Sequence, residues 1–233
     1  MATIMSGTCS ICDELIGTAP NRLSPLLSGS VNAILHETET LALIPSVGAL
    51  VIGHCLIVPK WHSCNVMLSL ESSGMQELFS ILASVQQLAS DRLGVTGLFC
   101  FEHGKHNMDE GDVLCSTSHG HLHVLPLRKR QIDRVFERAS MDLQSDLPLN
   151  LLREKVDKFD EYIAAFVWQR GRSCQRTAVL NAKGLPSQYL RKVIAESVGV
   201  AEWNWKRDPR VDIVKKTIDE LCIQVPVFPS TAQ

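Results

Sequence analysis

The sequence has no strong excess of charge, no long apolar run and no internal repeat, and each absence removes a class of function. Its 233 residues carry a formal net charge of −2, so no clustered positive field indicates a nucleic-acid partner. No stretch reaches the roughly 18–20 apolar residues of a membrane span. Pro45 and Gly48 interrupt the longest candidate, residues 41–58. We therefore expect neither a nucleic-acid partner nor a membrane-spanning segment.

The N-terminus and the cysteine content together predict a cytoplasmic protein. Residues 1–7 lack the basic start and the apolar stretch of an export signal. Eight cysteines in a chain without such a signal indicate free thiols or metal ligands, because disulfide frameworks form in oxidising compartments. The length suits one domain with an extension, or two small domains.

Three histidines alternate with small or apolar residues in the middle of the chain. On a strand, every second side chain shares a face, with Cα atoms roughly 6.5–7 Å apart. His119, His121 and His123 would then form a row, while Gly120 and Leu122 face the core. Three imidazoles pack poorly, because each has polar nitrogens that need partners. The pattern therefore favours chemistry: one metal bound by all three histidines, or one histidine acting as a nucleophile.

Further candidate ligands lie earlier in the chain. Cys9 and Cys12 have the CxxC spacing of a zinc half-site, which needs two more ligands from elsewhere. A redox motif is the weaker alternative, because no strand pattern precedes the pair. His62 follows a short apolar strand over residues 56–58, where the edge of a sheet can present a ligand. His54, at the opening of that strand, is predicted to be a structural hydrogen-bonding residue.

The apolar patterning predicts an α+β fold in which helices pack on an antiparallel sheet. A helix is predicted from a capping-box pair, Ser73 and Gln76, to Gly94, because its apolar residues recur at spacings of three and four. Strand patterns occur over residues 31–36, 41–44, 56–58, 98–102 and 119–127.

The chain changes character after about residue 140. We expect a first unit over residues 1–140 and a C-terminal α/β extension over residues 141–233. The extension shows helical patterns over residues 147–159, 187–199 and 211–221, and a hairpin pattern over residues 162–168 and 176–180. The hairpin is predicted to extend the same sheet, with the helices covering it.

Taken in order, these motifs resemble those of the histidine triad (HIT) superfamily of nucleotide hydrolases and transferases. The family signature, His-x-His-x-His followed by two apolar residues, fits residues 119–125. Its preceding strand, roughly Gly-His-x-Leu with two apolar residues and then Pro-Lys-x-His, fits residues 53–62. The CxxC that opens many zinc-bearing members fits Cys9 and Cys12. The resemblance implies a HIT-like α+β fold and a nucleotide or nucleotide conjugate as partner. Relatives are often homodimers, so a homodimer is an open expectation.

The resemblance also implies a structural Zn²⁺. In zinc-containing relatives the ligands are the CxxC pair, the histidine that ends the Pro-Lys-x-His segment and the first histidine of the triad. These positions are Cys9, Cys12, His62 and His119. Such a tetrahedron has no open position for water or substrate, so the metal would be structural. It also argues against a catalytic zinc that uses all three histidines.

The resemblance implies the catalytic roles as well. His121 corresponds to the family nucleophile, which attacks the α-phosphorus of a nucleotide conjugate and forms a nucleotidyl-histidine. His123 would donate hydrogen bonds to the phosphate oxygens. Ser116 matches the hydroxyl that contacts the phosphate or the leaving group. A nucleotide-binding regulatory protein with little catalysis is the remaining alternative.

Several positions depart from the family pattern, and they bear on the substrate. Leu114-Cys115-Ser116 stands where the family often has Gly-Gln-Ser, and Ser46 stands where an acidic residue often contacts the ribose. Residues 102–104 replace the usual Asn-x-Gly. Glu102 and Gly104 are therefore candidate substrate-binding residues, although Glu102 could equally satisfy the backbone of a loop.

Overall fold

The structure is a computed structural model of the chain. It describes residues 9–17, 22–23, 25–26, 34–106, 119–141, 144–145, 149–169 and 172–221. Ser116 and residues 31–33 lie outside the described residues. No helix within the described ranges is long and apolar enough to cross a membrane.

One antiparallel sheet of eight strands organises the described part of the chain. The order across the sheet is β1-β2-β3-β5-β4-β7-β8-β6. The strands are β1 (His36–Glu37), β2 (Leu41–Pro45), β3 (Cys55–Pro59), β4 (Gly97–Lys105), β5 (Leu122–Pro126), β6 (Gln144–Ser145), β7 (Glu161–Gln169) and β8 (Arg172–Asn181). The α+β fold with an antiparallel sheet is thereby confirmed.

Helices cover both faces of this sheet. They are α1 (Ser10–Ile16), α2 (Ser72–Leu93), α3 (Lys129–Arg138), α4 (Leu149–Val156), α5 (Tyr189–Val198) and α6 (Val211–Leu221). Alternate residues of β4 enter two separate cores. Leu98 and Cys100 pack in the core that contains α2, whereas Phe99 and Phe101 pack in the core that contains α3 and α5.

The histidine row lies on the α3/α5 face of the sheet. The ring of His123 stacks on Phe101, with centroids 4.2 Å apart and planes 8° apart. Leu122 and Val124 face the opposite core, as the alternation predicts. β5 begins only at Leu122, so His121 directly precedes the strand instead of lying within it. The predicted strand was too long at this end.

The long helix α2 agrees with its apolar pattern but begins differently from the prediction. Its N-cap is Glu71, and no side chain caps it, so the predicted capping box is wrong. The apolar face of the helix packs on the sheet and stabilises the helix without such a cap, because Leu78, Leu82 and Val85 are fully buried. Gly94 ends the helix in a left-handed conformation, as predicted.

The sheet is continuous across the predicted unit boundary at residue 140. β4 pairs with β5 along one edge and with β7 along the other. The hairpin of β7 and β8 therefore extends the same sheet, and α5 covers it. Whether residues 1–140 and 141–233 are separable units stays a prediction.

Candidate metal centre and active site

Four side chains from three distant segments converge into one cluster of metal-ligating atoms. The cluster consists of Cys9, Cys12, His62 and His119, whose ligand atoms all lie within 4.8 Å of one another. Cys12 Sγ lies 3.4 Å from Nδ1 of His62 and 3.4 Å from Nδ1 of His119, and Cys9 Sγ lies 3.5 Å from Nδ1 of His119. A tetrahedral zinc with its usual bond lengths separates sulfur from nitrogen by about 3.6 Å. The cluster fits one zinc ion.

The fold explains why these ligands meet. α1 buries Ile11 and Cys12 against a small apolar cluster formed by β2 and β3, and Cys9 lies at the start of this helix. His62 follows the end of β3, and His119 precedes β5, which pairs with β3. Packing therefore brings the cysteine pair to the adjacent ends of two neighbouring strands.

The surroundings of the ligands suit a metal. Nε2 of His119 donates to the carbonyl of Pro59 at 3.0 Å, which leaves Nδ1 as the ligand nitrogen. Without a cation, burial and the neighbouring Cys9 raise the pKa of the Cys12 thiol to about 12. Zinc binds the thiolate, so the metal would supply the charge that stabilises it.

His121 is held with one nitrogen occupied and the other available. Its Nδ1 donates to the carbonyl of His119 at 2.8 Å, so the lone pair of the neutral ring lies on Nε2. Burial lowers the pKa of His121 to about 4. The ring is therefore neutral at pH 7, which is the protonation state that a nucleophile requires.

A chain of hydrogen bonds fixes the proton on the third histidine. The backbone N–H of Leu50 donates to Nδ1 of His54 at 3.1 Å, so the proton of a neutral His54 is on Nε2. This Nε2 lies 2.9 Å from Nδ1 of His123 and donates to it. Burial lowers the pKa of both rings well below the usual value, so both are neutral. The remaining proton of His123 is therefore on Nε2. The prediction that His54 is a structural hydrogen-bonding residue is confirmed.

Nε2 of His123 lies at a small cavity. This nitrogen is buried and has no hydrogen-bond partner within the described ranges. The cavity has a volume of about 40 Å³, and both His121 and His123 line it. Its other walls are Ile11, Arg22, Ser46, Val47, Leu56, Arg191 and Trp205. The two histidines thus present an acceptor nitrogen and a donor nitrogen to the same space.

A larger open groove lies elsewhere. It has a volume of about 910 Å³ and passes His62, Cys64 and Arg153, but neither His121 nor His123 lines it. We place the chemistry at the smaller cavity, because both His121 and His123 line it.

Glu102 is enclosed by the fold, and its predicted substrate-binding role stays a prediction. Its side chain is fully buried, and its carboxylate accepts hydrogen bonds from the backbone N–H groups of Val66 and Met67 and from the hydroxyl of Tyr162. Burial raises the pKa of Glu102 to about 7, against the opposing effect of these donors. The structure therefore favours the alternative, in which Glu102 satisfies the backbone of the segment before α2.

Gly104 lies in a tightly packed part of the sheet. It lies within β4, where an added Cβ would be 2.4 Å from the ring of Tyr162 on the neighbouring strand β7. The glycine allows the close packing of these two strands, and its predicted substrate-binding role stays a prediction. Ser116 falls outside the described residues, so its predicted role stays a prediction.

Three residues at the cavity were not anticipated from the sequence: Arg22, Arg191 and Trp205. None belongs to the CxxC pair, the segment over residues 53–62 or the histidine row, and the last two come from the C-terminal region. Only the folded chain brings them to the histidines, so no local pattern could have identified them.

Comparisons with known proteins give structural matches alone. No protein-family model matches the sequence, and no curated protein matches it. Among solved structures, a zinc-bound histidine triad family protein from Mycobacterium smegmatis is similar at 20% identity, over 54% of this chain and 78% of that one, with a TM-score of 0.39. A HIT family protein from Bacillus anthracis matches at 18% identity, over 53% and 76%, with a TM-score of 0.38.

A longer match extends into the C-terminal region. A hypothetical histidine triad nucleotide-binding protein from Sulfolobus tokodaii is similar at 16% identity, over 82% of this chain and 92% of that one, with a TM-score of 0.33. All three TM-scores lie below 0.5.

Proposed function

We propose that this chain is a histidine triad protein that hydrolyses or transfers a nucleoside monophosphoryl group through His121. The main support for this proposal is the hydrogen bond that Nδ1 of His121 donates to the carbonyl of His119. Because the proton of the neutral imidazole is then on Nδ1, the lone pair is on Nε2. Nε2 of His123 is a hydrogen-bond donor at the same cavity. The hydrogen bond that His121 donates makes its Nε2 the candidate nucleophile, and the hydrogen bond that His123 accepts makes its Nε2 the candidate donor to the phosphate.

The reaction has two displacements. In the first, the Nε2 lone pair of His121 forms a bond to the α-phosphorus while the bond to the leaving group breaks, and the leaving group keeps that electron pair and takes up a proton. In the second, water or another acceptor attacks the phosphorus, loses a proton and returns the N–P electron pair to His121. The covalent intermediate replaces one difficult displacement by two easier ones.

His123 would act on the phosphate oxygens. Charge develops on the equatorial oxygens during each displacement, and a donor already positioned there stabilises the transition state without reorganisation. The hydrogen bond from His54 makes Nε2 the protonated nitrogen before substrate arrives. The same neutral ring cannot serve as a metal ligand through Nδ1, because that nitrogen already accepts from His54.

The metal would have a structural role. Zinc bound by Cys9, Cys12, His62 and His119 would tie α1 to the segment that begins the histidine row. His119 would thereby hold its carbonyl against Nδ1 of His121, so the metal would orient the nucleophile indirectly.

A catalytic zinc on all three histidines receives no support from this geometry. The cluster of ligand atoms found in the described part of the chain includes His119 with the two cysteines, and it excludes His121 and His123. The two hypotheses predict opposite metal contents in two variants. We expect His121→Ala to retain zinc and Cys9→Ala to lose it, whereas a three-histidine site would give the reverse.

The test of the function is turnover across a panel of nucleoside phosphoramidates, anhydrides and esters. We expect His121→Ala to abolish turnover while zinc content and circular dichroism stay unchanged. His36→Ala is the matched control, because His36 lies on the edge strand β1, three strands away from β5 in the sheet order. Full activity of His121→Ala on the substrates that the wild-type protein cleaves would reject the proposal.

A further inference from the structure

Two arginines that do not belong to the histidine row line the cavity that His121 also lines. Arg22 belongs to the segment after α1, and Arg191 lies on α5 in the C-terminal region. Both approach the site that the two catalytic candidates already define. Arg191 is buried and the side chain of Arg22 is 19% exposed, and arginines are seldom this enclosed unless something pairs with them.

Arg191 is held firmly at this position. It is 2% exposed, and its Nη2 donates to the carbonyl of Gly48 at 2.7 Å and to that of Trp203 at 3.3 Å. Its Nη1 donates a long hydrogen bond of 3.4 Å to the hydroxyl oxygen of Ser46. These bonds clamp the guanidinium between the turn after β2 and the segment after α5, at the wall of the cavity.

Arg22 is oriented from the opposite side. Its Nε donates to the Glu14 carboxylate at 2.7 Å, which fixes the plane of the guanidinium. Its Nη2 is buried, and among the residues that the structure describes it has no hydrogen-bond partner. The same holds for Nε2 of His123. The two side chains line the same cavity. A buried donor without a partner is costly, and an acceptor bound in this cavity would remove that cost.

We propose that this cavity binds the phosphoryl group of the substrate, and that Arg22 and Arg191 are the substrate-binding residues that hold its oxygens beside His121 and His123. Guanidinium groups match phosphate in charge and in geometry. The inference rests on the proposed function for the reaction, and it adds that the C-terminal region completes the binding site.

The size of the cavity identifies which part of the substrate it takes. A single water needs roughly 10–15 Å³ of such space, so about 40 Å³ suits a group of a few heavy atoms. Pockets for drug-sized molecules measure about 300–1,000 Å³. The cavity therefore admits a phosphoryl group, and the nucleoside attached to it lies outside.

The test measures binding of inorganic phosphate to the full-length, zinc-loaded chain by calorimetry. We expect saturable binding in the wild-type protein. The affinity for phosphate should fall by at least about tenfold in Arg22→Met and in Arg191→Gln, because each variant loses one charge-assisted hydrogen bond. Arg153→Met is the matched control, because Arg153 also donates to backbone carbonyls but does not line this cavity. Its affinity should stay within about twofold of the wild-type value.

A competition experiment tests whether the cavity binds the phosphoryl group of the substrate. A nucleoside monophosphate should displace inorganic phosphate, because its phosphoryl group needs the same space. Absence of displacement would contradict the assignment to substrate, and so would wild-type phosphate affinity in Arg22→Met. If Arg191→Gln fails to fold, as judged by circular dichroism, Arg22→Met decides the result.

The outcomes separate this inference from the proposed function. His121→Ala should keep phosphate binding while losing turnover. Phosphate binding that depends on Arg22, in a protein that turns over no nucleotide conjugate, would reject the reaction and retain the pocket. Turnover through His121 with phosphate affinity that is independent of both arginines would retain the reaction and reject the pocket.

Discussion

At the scale of single residues, the site depends on which nitrogen of each imidazole carries the proton. His121 donates from Nδ1 to a carbonyl, whereas Nδ1 of His123 accepts from His54. Two histidines only two positions apart therefore have opposite tautomers, and they present an acceptor and a donor to the same cavity. Backbone groups set both tautomers, since the chain of bonds starts at the carbonyl of His119 and at the N–H of Leu50.

His54 should thus control the activity of His123 without touching substrate. The substitution His54→Phe removes the hydrogen bond to Nδ1 of His123. The ring proton of His123 can then move from Nε2 to Nδ1, and Nε2 can no longer donate to the phosphate. We expect kcat to fall by about 100-fold with little change in KM, the usual effect of losing one such donor. Steady-state kinetics on a cleaved nucleotide conjugate measures this.

The conservative variant His54→Gln distinguishes positioning from packing. Its amide can accept from Leu50 and donate to His123, so it should recover part of the lost kcat. Equal activity of His54→Phe and the wild-type protein would show that the proton on His123 is not set through His54.

Glu102 gives a pH-dependent contribution to stability. Its pKa is raised from 4.5 to about 7 in the folded state, mainly by burial, so the folded protein holds a proton that the unfolded chain releases between these values. Its contribution is fully present below about pH 4.5 and is lost as pH rises through 7, by up to about 3 kcal/mol.

Glu102→Gln does not titrate. The unfolding free energy of the variant, relative to wild type, should therefore rise between pH 5 and pH 8, as urea denaturation at each pH would measure. Parallel pH profiles would contradict this.

At the scale of elements, the ends of two neighbouring strands build the site. β3 leads to His62 and β5 follows His121, and the two strands pair. Between them, the N–H of Gly120 donates to the carbonyl of Ser63 at 2.6 Å. This bond holds the segment that carries His62 against the segment that carries the triad.

Gly120 has no room for a side chain. An added Cβ would lie 2.4–2.7 Å from backbone atoms of Asn65, which cannot move as a flexible side chain could. We expect Gly120→Ala to lower the unfolding free energy by about 1–3 kcal/mol and to weaken zinc retention, because it separates His62 from His119. Chemical denaturation and metal analysis measure the two effects.

Gly97→Ala is the control for this substitution. Gly97 also lies at a strand, β4, but the nearest atoms to its added Cβ are 3.5 Å away, an ordinary contact. Its variant should stay close to wild type in both measurements. A Gly120→Ala protein as stable as Gly97→Ala would show that the close approach to Asn65 is not needed.

Patterns within elements predicted much of this architecture. α6 matches its predicted range of residues 211–221, and the hairpin of β7 and β8 pairs as expected, because both have clear apolar periodicity. The predicted start of α2 was wrong because apolar packing, rather than a capping side chain, stabilises this helix. The contact that Glu102 and Gly104 make with Tyr162 could not be predicted, because Tyr162 lies on β7 and is distant in sequence.

At the scale of the whole molecule, the C-terminal region is built into the fold. β7 pairs along the length of β4, and α5 packs on the histidine face of the sheet. Arg191 and Trp205 from this region line the cavity. Motif spacing alone located His121 and His123, but it could not indicate what covers them, since that depends on contacts between residues far apart in the chain.

A fragment of residues 1–140 should therefore not fold as an independent unit. Removing β7 would leave β4 with an unpaired edge and would expose apolar residues of both cores, and such edges promote aggregation. We expect the fragment to aggregate on size-exclusion chromatography, whereas the full chain unfolds cooperatively. A monomeric fragment with a cooperative thermal transition would support a domain boundary at residue 140.

The most direct test of the central claim is peptide mapping by mass spectrometry after rapid quenching with a nucleotide conjugate. We predict an adduct with the mass of one nucleoside monophosphoryl group on His121, present in the wild-type protein and absent from His121→Ala. An adduct on a different residue, or cleavage of the conjugate with no covalent intermediate at any time point, would contradict the account.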